Sequence, residues 1–231
     1  MQSSSDRKER RPARFDRVIV FDLDDTLYLE RDYVLSGLSA VGQWAHAVLG
    51  IDGLGAIMRA RFDAGSRTRI FDDSLRDMGI QPHPATIMRM LTVYRQHRPR
   101  ISLAPDAAAF LAARDARTGF AVITDGFLDA QRRKIKALHL FGRGVHLGVC
   151  TDTWGRDYWK PNPRAFRHVE EHFGRCGARC TYVADNPGKD FAAPRLLGWN
   201  TIRIARPGQV SHFAHDDMVE ADRIIETFEE F

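Results

Sequence analysis

Apolar and polar positions along the chain switch between a strand pattern and a helix pattern, and the first strand comes early. The apolar run VIVF at residues 18–21 is followed at once by Asp22, Asp24 and Asp25, three carboxylates within four residues. A short apolar run bounded by polar residues is typical of a strand buried on both faces, as in a parallel sheet. We therefore predict a buried parallel strand over residues 17–22.

Residues 32–97 show a different pattern, in which apolar residues recur at spacings of three and four and predict helices without a strand. The four apolar stripes are Val34, Leu35, Leu38, Val41, Trp44, Ala45 and Val48; Leu54, Ile57 and Met58; Phe71, Leu75 and Met78; and Ile87, Met88, Leu91 and Tyr94. We expect Asp72 or Asp73 to cap the third helix and Pro84 to lie in the first turn of the fourth. The pattern predicts a helical insert, residues 31–97, within a core of residues 15–30 and 98–231.

After the insert, strand and helix patterns alternate to the end of the chain. The predicted strands are residues 119–126, 145–150, 180–184 and, as the last strand, 200–204; the predicted helices are 106–114, 130–138, 163–173, 190–197 and an acidic helix at 216–231. Alternation of this kind is typical of an α/β fold with helices on both faces of a parallel sheet. We therefore predict a Rossmann-like, doubly wound core with an inserted α-helical cap domain.

Composition and charge narrow the class of protein. The chain has 231 residues, of which 44% are hydrophobic and 28% charged, as in an ordinary globular protein. The formal net charge is +4, but residues 1–14 hold five basic and two acidic residues, which leaves 29 basic and 28 acidic residues elsewhere. We expect a disordered basic tail over residues 1–14. The near-neutral remainder argues against a nucleic-acid partner, while an acidic partner for the tail stays open.

The sequence also predicts where the protein resides. No stretch approaches 18 consecutive apolar residues, so we expect no membrane span, and the tail lacks the apolar segment of a signal peptide. The three cysteines, Cys150, Cys176 and Cys180, are too few and odd in number for a disulfide scaffold. Unpaired thiols favour a reducing compartment, so we expect a cytoplasmic protein. We expect it to be a monomer or a homodimer.

Polar groups of complementary type follow four of the predicted strands. They are Asp22 and Asp24; Thr124, Asp125 and Gly126; Lys160; and Asp185 and Asp190. Because parallel strands end at the same edge of a sheet, we expect these groups to meet in one crevice. Clustered carboxylates repel one another, and a divalent cation with oxygen ligands relieves that repulsion.

This set of groups suits phosphoryl transfer. One carboxylate can attack phosphorus and form an aspartyl-phosphate, and a second, two residues on, can protonate the leaving oxygen and then activate water. Lys160 and Thr124 offer positive charge and a hydrogen bond to phosphate oxygens. A metal ion neutralises the charge between the carboxylates and the phosphate.

Four segments resemble, in order, the four motifs of the haloacid dehalogenase (HAD) superfamily. These segments are FDLDDTLY at residues 21–28, Thr124, Lys160 with Pro161, and the loop from Asp185 to Asp190. The resemblance covers nearly the whole chain after the tail. It implies that Asp22 is the nucleophile and that Asp24 is the general acid/base and gives a backbone carbonyl to Mg²⁺. It also implies that Thr124 and Lys160 bind phosphate. Asp185 would be the metal-ligating carboxylate, and Asp190 would support the metal. The predicted catalytic residues are thus Asp22, Asp24, Thr124 and Lys160; the substrate-binding residues are Thr124, Asp125, Gly126 and Lys160; and the Mg²⁺ site is Asp22, Asp24, Asp185 and Asp190.

The helical insert is similar to the type-one cap of the superfamily, a lid that closes over substrate and excludes water. Two positions depart from the family pattern: Ala184 stands where many members have Gly, and Asp125 stands where Asn is common. Neither departure removes a predicted catalytic group. Since Asp125 adds negative charge beside the phosphate site, we expect its side chain to turn away or to face a substrate hydroxyl.

The resemblance favours a Mg²⁺-dependent phosphomonoester hydrolase that acts through an aspartyl-phosphate on a small phosphorylated metabolite, a sugar phosphate or a nucleotide. A phosphomutase of the same fold and a catalytically silent HAD-like binding module are the alternatives. Retention of every predicted catalytic group argues against the silent module. Dehalogenation is disfavoured, because dehalogenases of the superfamily lack an acid/base Asp at the position of Asp24 and need no metal.

Overall fold

Six parallel strands form one sheet in the order β3-β2-β1-β4-β5-β6. The computed structural model describes residues 15–175, 177–210 and 218–231. The strands are β1 (Arg17–Phe21), β2 (Thr118–Thr124), β3 (Val145–Cys150), β4 (Cys180–Ala184), β5 (Asn200–Ile204) and β6 (Arg223–Ile225). The expectations for the tail at residues 1–14, for Cys176 and for residues 216–217 lie outside the described residues.

Eight α-helices accompany these strands in the described part of the chain. They are α1 (Glu30–Leu49), α2 (Leu54–Asp63), α3 (Ile70–Asp77), α4 (Pro84–Gln96), α5 (Pro105–Ala112), α6 (Leu128–Ala137), α7 (Arg164–Phe173) and α8 (Ala192–Leu196). Among these described elements, no helix is both long and apolar enough to cross a membrane.

β1 lies inside the sheet, between β2 and β4, and its residues alternate between two cores. Ile19 and Phe21 pack with side chains from α5 and α6, whereas Val18 and Val20 pack with side chains from α7 and α8. Successive side chains of a strand point to opposite faces, so an unbroken apolar run fits a strand that is covered on both faces. The α/β fold with a doubly wound parallel sheet is confirmed.

The helices α1–α4 come between β1 and the rest of the sheet, and residues 30–96, all of them described, contain no strand. Their apolar faces pack on one another in a separate cluster that includes Leu38, Val41, Met58, Leu75 and Met90. Helical stripes of this kind bury their apolar side against neighbouring helices. The cap boundaries, residues 31–97, stay a prediction.

The acidic helix predicted over residues 216–231 is wrong for its described part, residues 218–231. There the chain forms β6, which pairs with β5, and then a single 3₁₀ turn, Phe228–Glu230. Residues 200–204 are therefore not the last strand. Ile225 and Phe228 are buried in the core, so pairing with the sheet edge and core burial override the local helical spacing.

The N-cap predicted for the third helix is also wrong. Arg69 caps α3, and its carbonyl accepts the first hydrogen bond of the helix from the N–H of Asp73 at 2.9 Å. Asp72 and Asp73 lie in the first turn, where a carboxylate is favoured by the helix dipole. Pro84 does start α4, as predicted.

Candidate active site

A cavity of about 500 Å³ lies where the carboxyl edge of the sheet meets the helices that follow β1. The residues after β1, β2 and β4 reach this edge because the strands are parallel and in register. Its lining includes the predicted site residues Asp22, Asp24, Asp125, Gly126, Lys160 and Asp185. The helices α1 and α4 contribute Glu30, Tyr33, Leu91, Tyr94 and Arg95 to the lining on the other side.

The loop after β1 is shaped by Asp25, which adopts a left-handed backbone conformation with φ of 52°. Aspartate tolerates this region better than most residues. Its carboxylate accepts hydrogen bonds from the N–H of Glu30 at 2.8 Å and from the N–H of Val210 at 2.7 Å. Asp25 thereby fixes the start of α1 relative to the loop that carries Asp22 and Asp24.

Asp22 extends β1 by one hydrogen bond, from its N–H to the carbonyl of Val183 at 2.8 Å, and its side chain enters a buried charge network. The Lys160 ammonium lies 2.6 Å from Oδ1 of Asp22 and 2.6 Å from Oδ1 of Asp190. Nζ of Lys160 also donates to the hydroxyl of Tyr182 at 3.0 Å, and that hydroxyl donates to Asp190 at 3.2 Å. A lysine between two carboxylates compensates both of them in a buried setting.

Electrostatics in this network follow from burial and from the excess of carboxylates. Burial raises the pKa of Asp22 to about 6, with the Lys160 ammonium opposing the rise and Asp190 adding to it. Burial alone would lower the pKa of Lys160, but Asp190 and Asp22 outweigh burial and raise it well above its usual value. Lys160 is therefore a fixed cation next to Asp22.

Asp185 follows β4 and completes an acidic cluster. Carboxylate oxygens of Asp22, Asp185 and Asp190 lie within 4.8 Å of one another. Oδ2 of Asp185 is buried and has no hydrogen-bond partner among the described residues. Burial raises the pKa of Asp185 well above its usual range, and the Asp190 and Asp22 carboxylates raise it further.

An orphaned buried carboxylate oxygen beside a second carboxylate is a set of donors that fits a hard divalent cation. Asp22 and Asp185 are the best placed of the cluster, because Asp190 is already engaged: its Oδ1 accepts from Tyr182 and its Oδ2 accepts from the N–H of Asn186 at 3.1 Å. Asp190 therefore fits a supporting role better than direct ligation. The residues present fit Mg²⁺.

Asp24 is bound by three side chains. Nζ of Lys134 lies 2.7 Å from its Oδ1 and 2.8 Å from its Oδ2, Nε2 of Gln131 donates to Oδ2 at 3.0 Å, and the hydroxyl of Tyr28 donates to Oδ1. Burial raises the pKa of Asp24, but the Lys134 ammonium and these hydrogen bonds outweigh it, so the net shift is downward. The ammonium of Lys134 also lies 4.0 Å from the ring centre of Tyr33, on α1.

The polar residues at the end of β2 and just after it differ in whether they line the cavity or hold neighbouring residues in place. The Asp125 carboxylate accepts hydrogen bonds from the hydroxyl of Thr151 at 2.7 Å and from the N–H of Lys160 at 3.2 Å. Gly126 lines the cavity with φ of 122°, and a Cβ there would lie 2.8 Å from Gln131. Thr124 is buried at the end of β2 and is absent from the cavity lining, so its role in phosphate binding stays a prediction.

Outside α1 and α4, three charged or amide side chains of the cavity lining were not predicted from the sequence: Gln131, Lys134 and Lys189. Gln131 and Lys134 are three residues apart in α6, and this spacing places them on one face of the helix. Lys189 lies inside the loop from Asp185 to Asp190. The helical pattern of residues 130–138 does not show which face of α6 meets the sheet edge, so the sequence holds no signal that selects Gln131 and Lys134.

Comparison with known proteins places the chain in a family. A model of haloacid dehalogenase-like hydrolases matches residues 17–198, which include β1–β4 and every predicted site residue. The chain belongs to this family of hydrolases. The resemblance seen in the four motifs is therefore confirmed at the level of the family.

Two relatives of this HAD-family chain are named as phosphatases. The phosphoserine phosphatase of Thermus thermophilus is 33% identical over 143 residues, which make up 61% of this chain and 55% of that protein. The glyceraldehyde 3-phosphate phosphatase of Methanocaldococcus jannaschii is 28% identical over 199 residues, 81% of this chain and 84% of that protein. The chain thus spans about half the length of the first relative and most of the second.

Solved structures agree on the fold. The HAD-hydrolase YfnB of Bacillus subtilis superimposes with a TM-score of 0.63 at 15% identity, and the alignment covers 94% of this chain and 96% of that chain. At this identity the likeness shows the fold alone.

Proposed function

We propose that the chain is a Mg²⁺-dependent phosphomonoester hydrolase that acts through an aspartyl-phosphate on Asp22. The observation that carries this proposal is the position of the Asp22 carboxylate. It is buried, it lies 2.6 Å from the Lys160 ammonium, it is within 4.8 Å of Asp185 and Asp190, and it lines a cavity large enough for a small substrate. The names of the two relatives, both phosphatases, support the same reaction class.

In the first step an oxygen of Asp22 attacks phosphorus, and the bond from phosphorus to the leaving oxygen breaks with its electron pair on that oxygen. Asp24, in its acid form, gives its proton to the leaving oxygen. Lys160 stays protonated and offers a fixed positive charge beside the phosphoryl oxygens, as electrostatic stabilisation of phosphoryl transfer requires.

In the second step water attacks phosphorus of the aspartyl-phosphate, and the bond between phosphorus and Asp22 breaks with its electron pair on the carboxylate. Asp24 accepts the proton of the water. Asp22 and Asp185 would hold Mg²⁺, with the backbone carbonyl of Asp24 as a further ligand and Asp190 in support. When bound, the ion neutralises charge between the carboxylates and the phosphate.

The proposed substrate is a small phosphorylated metabolite, such as a sugar phosphate or a nucleotide. The phosphate site lies on the core, while Tyr33, Leu91, Tyr94 and Arg95 of α1 and α4 face the same cavity. We propose that these helices belong to a type-one cap, residues 31–97, whose side chains contact the organic part of the substrate and exclude water. A cytoplasmic location and a monomeric or homodimeric state stay predictions.

The test is phosphate release from a panel of phosphomonoesters. The panel contains sugar phosphates, nucleotides, phosphoserine, glyceraldehyde 3-phosphate and p-nitrophenyl phosphate, each with Mg²⁺ or with EDTA. We expect wild-type turnover with Mg²⁺, none above background with EDTA, and none for Asp22→Asn, whose amide keeps the shape of the side chain but cannot attack phosphorus.

Asp129→Asn is the matched control, because Asp129 is an exposed carboxylate on α6 and is not among the residues that line the cavity. It should turn over at the wild-type rate. Full activity of Asp22→Asn, or a folded wild type that is inert toward the whole panel, would contradict the proposed function.

A further inference from the structure

The Asp24 carboxylate is held by donors from two parts of the chain. Tyr28 comes from the loop after β1, and Gln131 and Lys134 come from one face of α6. We name these three side chains the Asp24 clamp. Both oxygens of Asp24 accept from the clamp, and Lys134 donates to each of them, at 2.7 and 2.8 Å.

Lys134 has no other acceptor among the described residues. Its side chain is 5% exposed, and besides Asp24 its ammonium contacts the face of the Tyr33 ring at 4.0 Å. A buried ammonium needs a partner, and this one is committed to Asp24. The cation beside the proposed nucleophile Asp22 is a different residue, Lys160. Each of these two carboxylates therefore has its own lysine, Lys160 for Asp22 and Lys134 for Asp24.

We propose that Lys134 is a positioning residue that holds the Asp24 carboxylate in line with the water that hydrolyses the aspartyl-phosphate. This inference rests on the proposed function. In that step the water oxygen bonds to phosphorus, the bond between phosphorus and Asp22 breaks with its electrons on the carboxylate, and the proton of the water goes to an oxygen of Asp24. A carboxylate that is free to rotate meets this proton less often, because general-base catalysis depends on fixed geometry.

Lys134→Met keeps a long apolar side chain but removes both hydrogen bonds to Asp24. The proposal predicts that the first step survives when the leaving group needs no proton, as with p-nitrophenyl phosphate, and that the second step slows. Rapid mixing should then show a burst of about one p-nitrophenolate per active site, followed by a steady-state rate about tenfold to a hundredfold below wild type.

Three further variants separate positioning from other roles. Lys134→Arg can still donate to both oxygens and should restore part of the steady-state rate. Lys136→Met, an exposed lysine on the same helix, is the control and should behave as wild type. In an Asp24→Asn background, Lys134→Met should cause no further loss, because a residue that acts through Asp24 has nothing left to position.

Intact-mass analysis after an acid quench gives an independent readout. During turnover of p-nitrophenyl phosphate, Lys134→Met should accumulate the phosphorylated protein, with one phosphoryl group added, to a larger fraction than wild type. If Lys134→Met fails to fold, the double variant with Asp24→Asn decides, because it buries no unpaired charge: rates equal to those of Asp24→Asn alone support the proposal, and a further loss contradicts it.

Other outcomes overturn the inference without touching the proposed function. A raised KM with no burst would make Lys134 a substrate ligand, and wild-type rates in Lys134→Met would leave it without a role in the reaction. If the burst falls in proportion to the steady-state rate, folded protein has been lost, and the double variant with Asp24→Asn decides as above. Failure of the proposed function is distinct, since wild type itself would then release no phosphate from any panel member.

Discussion

Asp125 shows how a single residue can lie in the active-site region and still act by supporting its neighbours. Its carboxylate accepts from the Thr151 hydroxyl and from the main chain of Lys160, and so connects the end of β2 to the residue that contacts Asp22. Those two donors need an acceptor oxygen and not a charge. An acceptor oxygen at position 125 is therefore what these two contacts require.

The consequence is a prediction about two substitutions at Asp125. Asp125→Asn keeps one acceptor oxygen and should retain stability and turnover within about twofold. Asp125→Ala leaves the Lys160 N–H without its acceptor and the Thr151 hydroxyl with only the Thr124 carbonyl at 3.2 Å, which should cost about 1–3 kcal/mol of unfolding free energy and lower kcat through displacement of Lys160. Urea unfolding and steady-state kinetics measure both effects, with Asp129→Ala as the exposed control. Equal losses for Asn and Ala would mean that the charge of Asp125 matters and not its hydrogen bonds.

The sequence predicts the cavity residues that follow strands but not those on α6, for a physical reason. Asp22, Asp125 and Asp185 each follow a buried apolar run, so the end of the run alone places them at the sheet edge. Lys134 and Gln131 lie on a helix, and which face of α6 meets Asp24 depends on how that helix packs on the sheet. Charged residues on a helix are usually solvated, so pattern alone gave no reason to select these two.

Among the elements, the difference between pattern and structure is largest at the C-terminus. Residues 223–225 add an edge strand to the sheet, and Phe228 packs against Phe21 with ring centres 5.7 Å apart. Partners more than 200 positions earlier in the chain are invisible to a local window. The four helices after β1 were predictable because each carries its own apolar stripe, which needs no distant partner to be recognised.

The packing of α1 on α2 gives a prediction at the scale of these elements. A Cβ on Gly42 would lie 2.7 Å from the Cα of Gly55, whereas a Cβ on Gly55 would lie 3.4 Å from the Cα of Gly42. Alanine in an exposed helix gains about 1 kcal/mol over glycine, but forced overpacking against a backbone atom costs about 1–3 kcal/mol. Gly42→Ala should therefore be destabilising.

Gly55→Ala is the matched control, since its Cβ makes an ordinary contact, and it should leave the unfolding free energy unchanged or raise it. Thermal and urea unfolding of both variants decide the question. A Gly42→Ala protein as stable as wild type would show that α1 and α2 can move apart with little loss of stability. The close approach of the two glycines would then not be needed for the packing of these helices.

For the whole molecule, the proposed Mg²⁺ site would couple folding to cation binding. Of the three buried carboxylates, Asp22 and Asp190 share one buried lysine, Lys160. Burial and the two neighbouring carboxylates hold the pKa of the third, Asp185, well above its usual range. At neutral pH and without metal, the ionised form of Asp185 is thus disfavoured in the folded state relative to the unfolded state. A cation that binds the folded state alone adds stability by mass action, about 2.7 kcal/mol at a concentration of 100 times Kd.

Two opposite effects of one substitution follow from this coupling. In EDTA, Asp185→Asn should have a higher Tm than wild type, because a neutral amide replaces a carboxylate whose ionisation opposes folding. With saturating Mg²⁺, the Tm of wild type should rise while that of Asp185→Asn rises little. The difference in Tm between the two proteins should therefore shrink or change sign. Asp157→Asn, which removes an exposed carboxylate, should follow wild type in both buffers. An equal gain from Mg²⁺ in wild type and Asp185→Asn would place the ion away from Asp185, and a lower Tm of Asp185→Asn in EDTA would show that this carboxylate stabilises the fold without a metal.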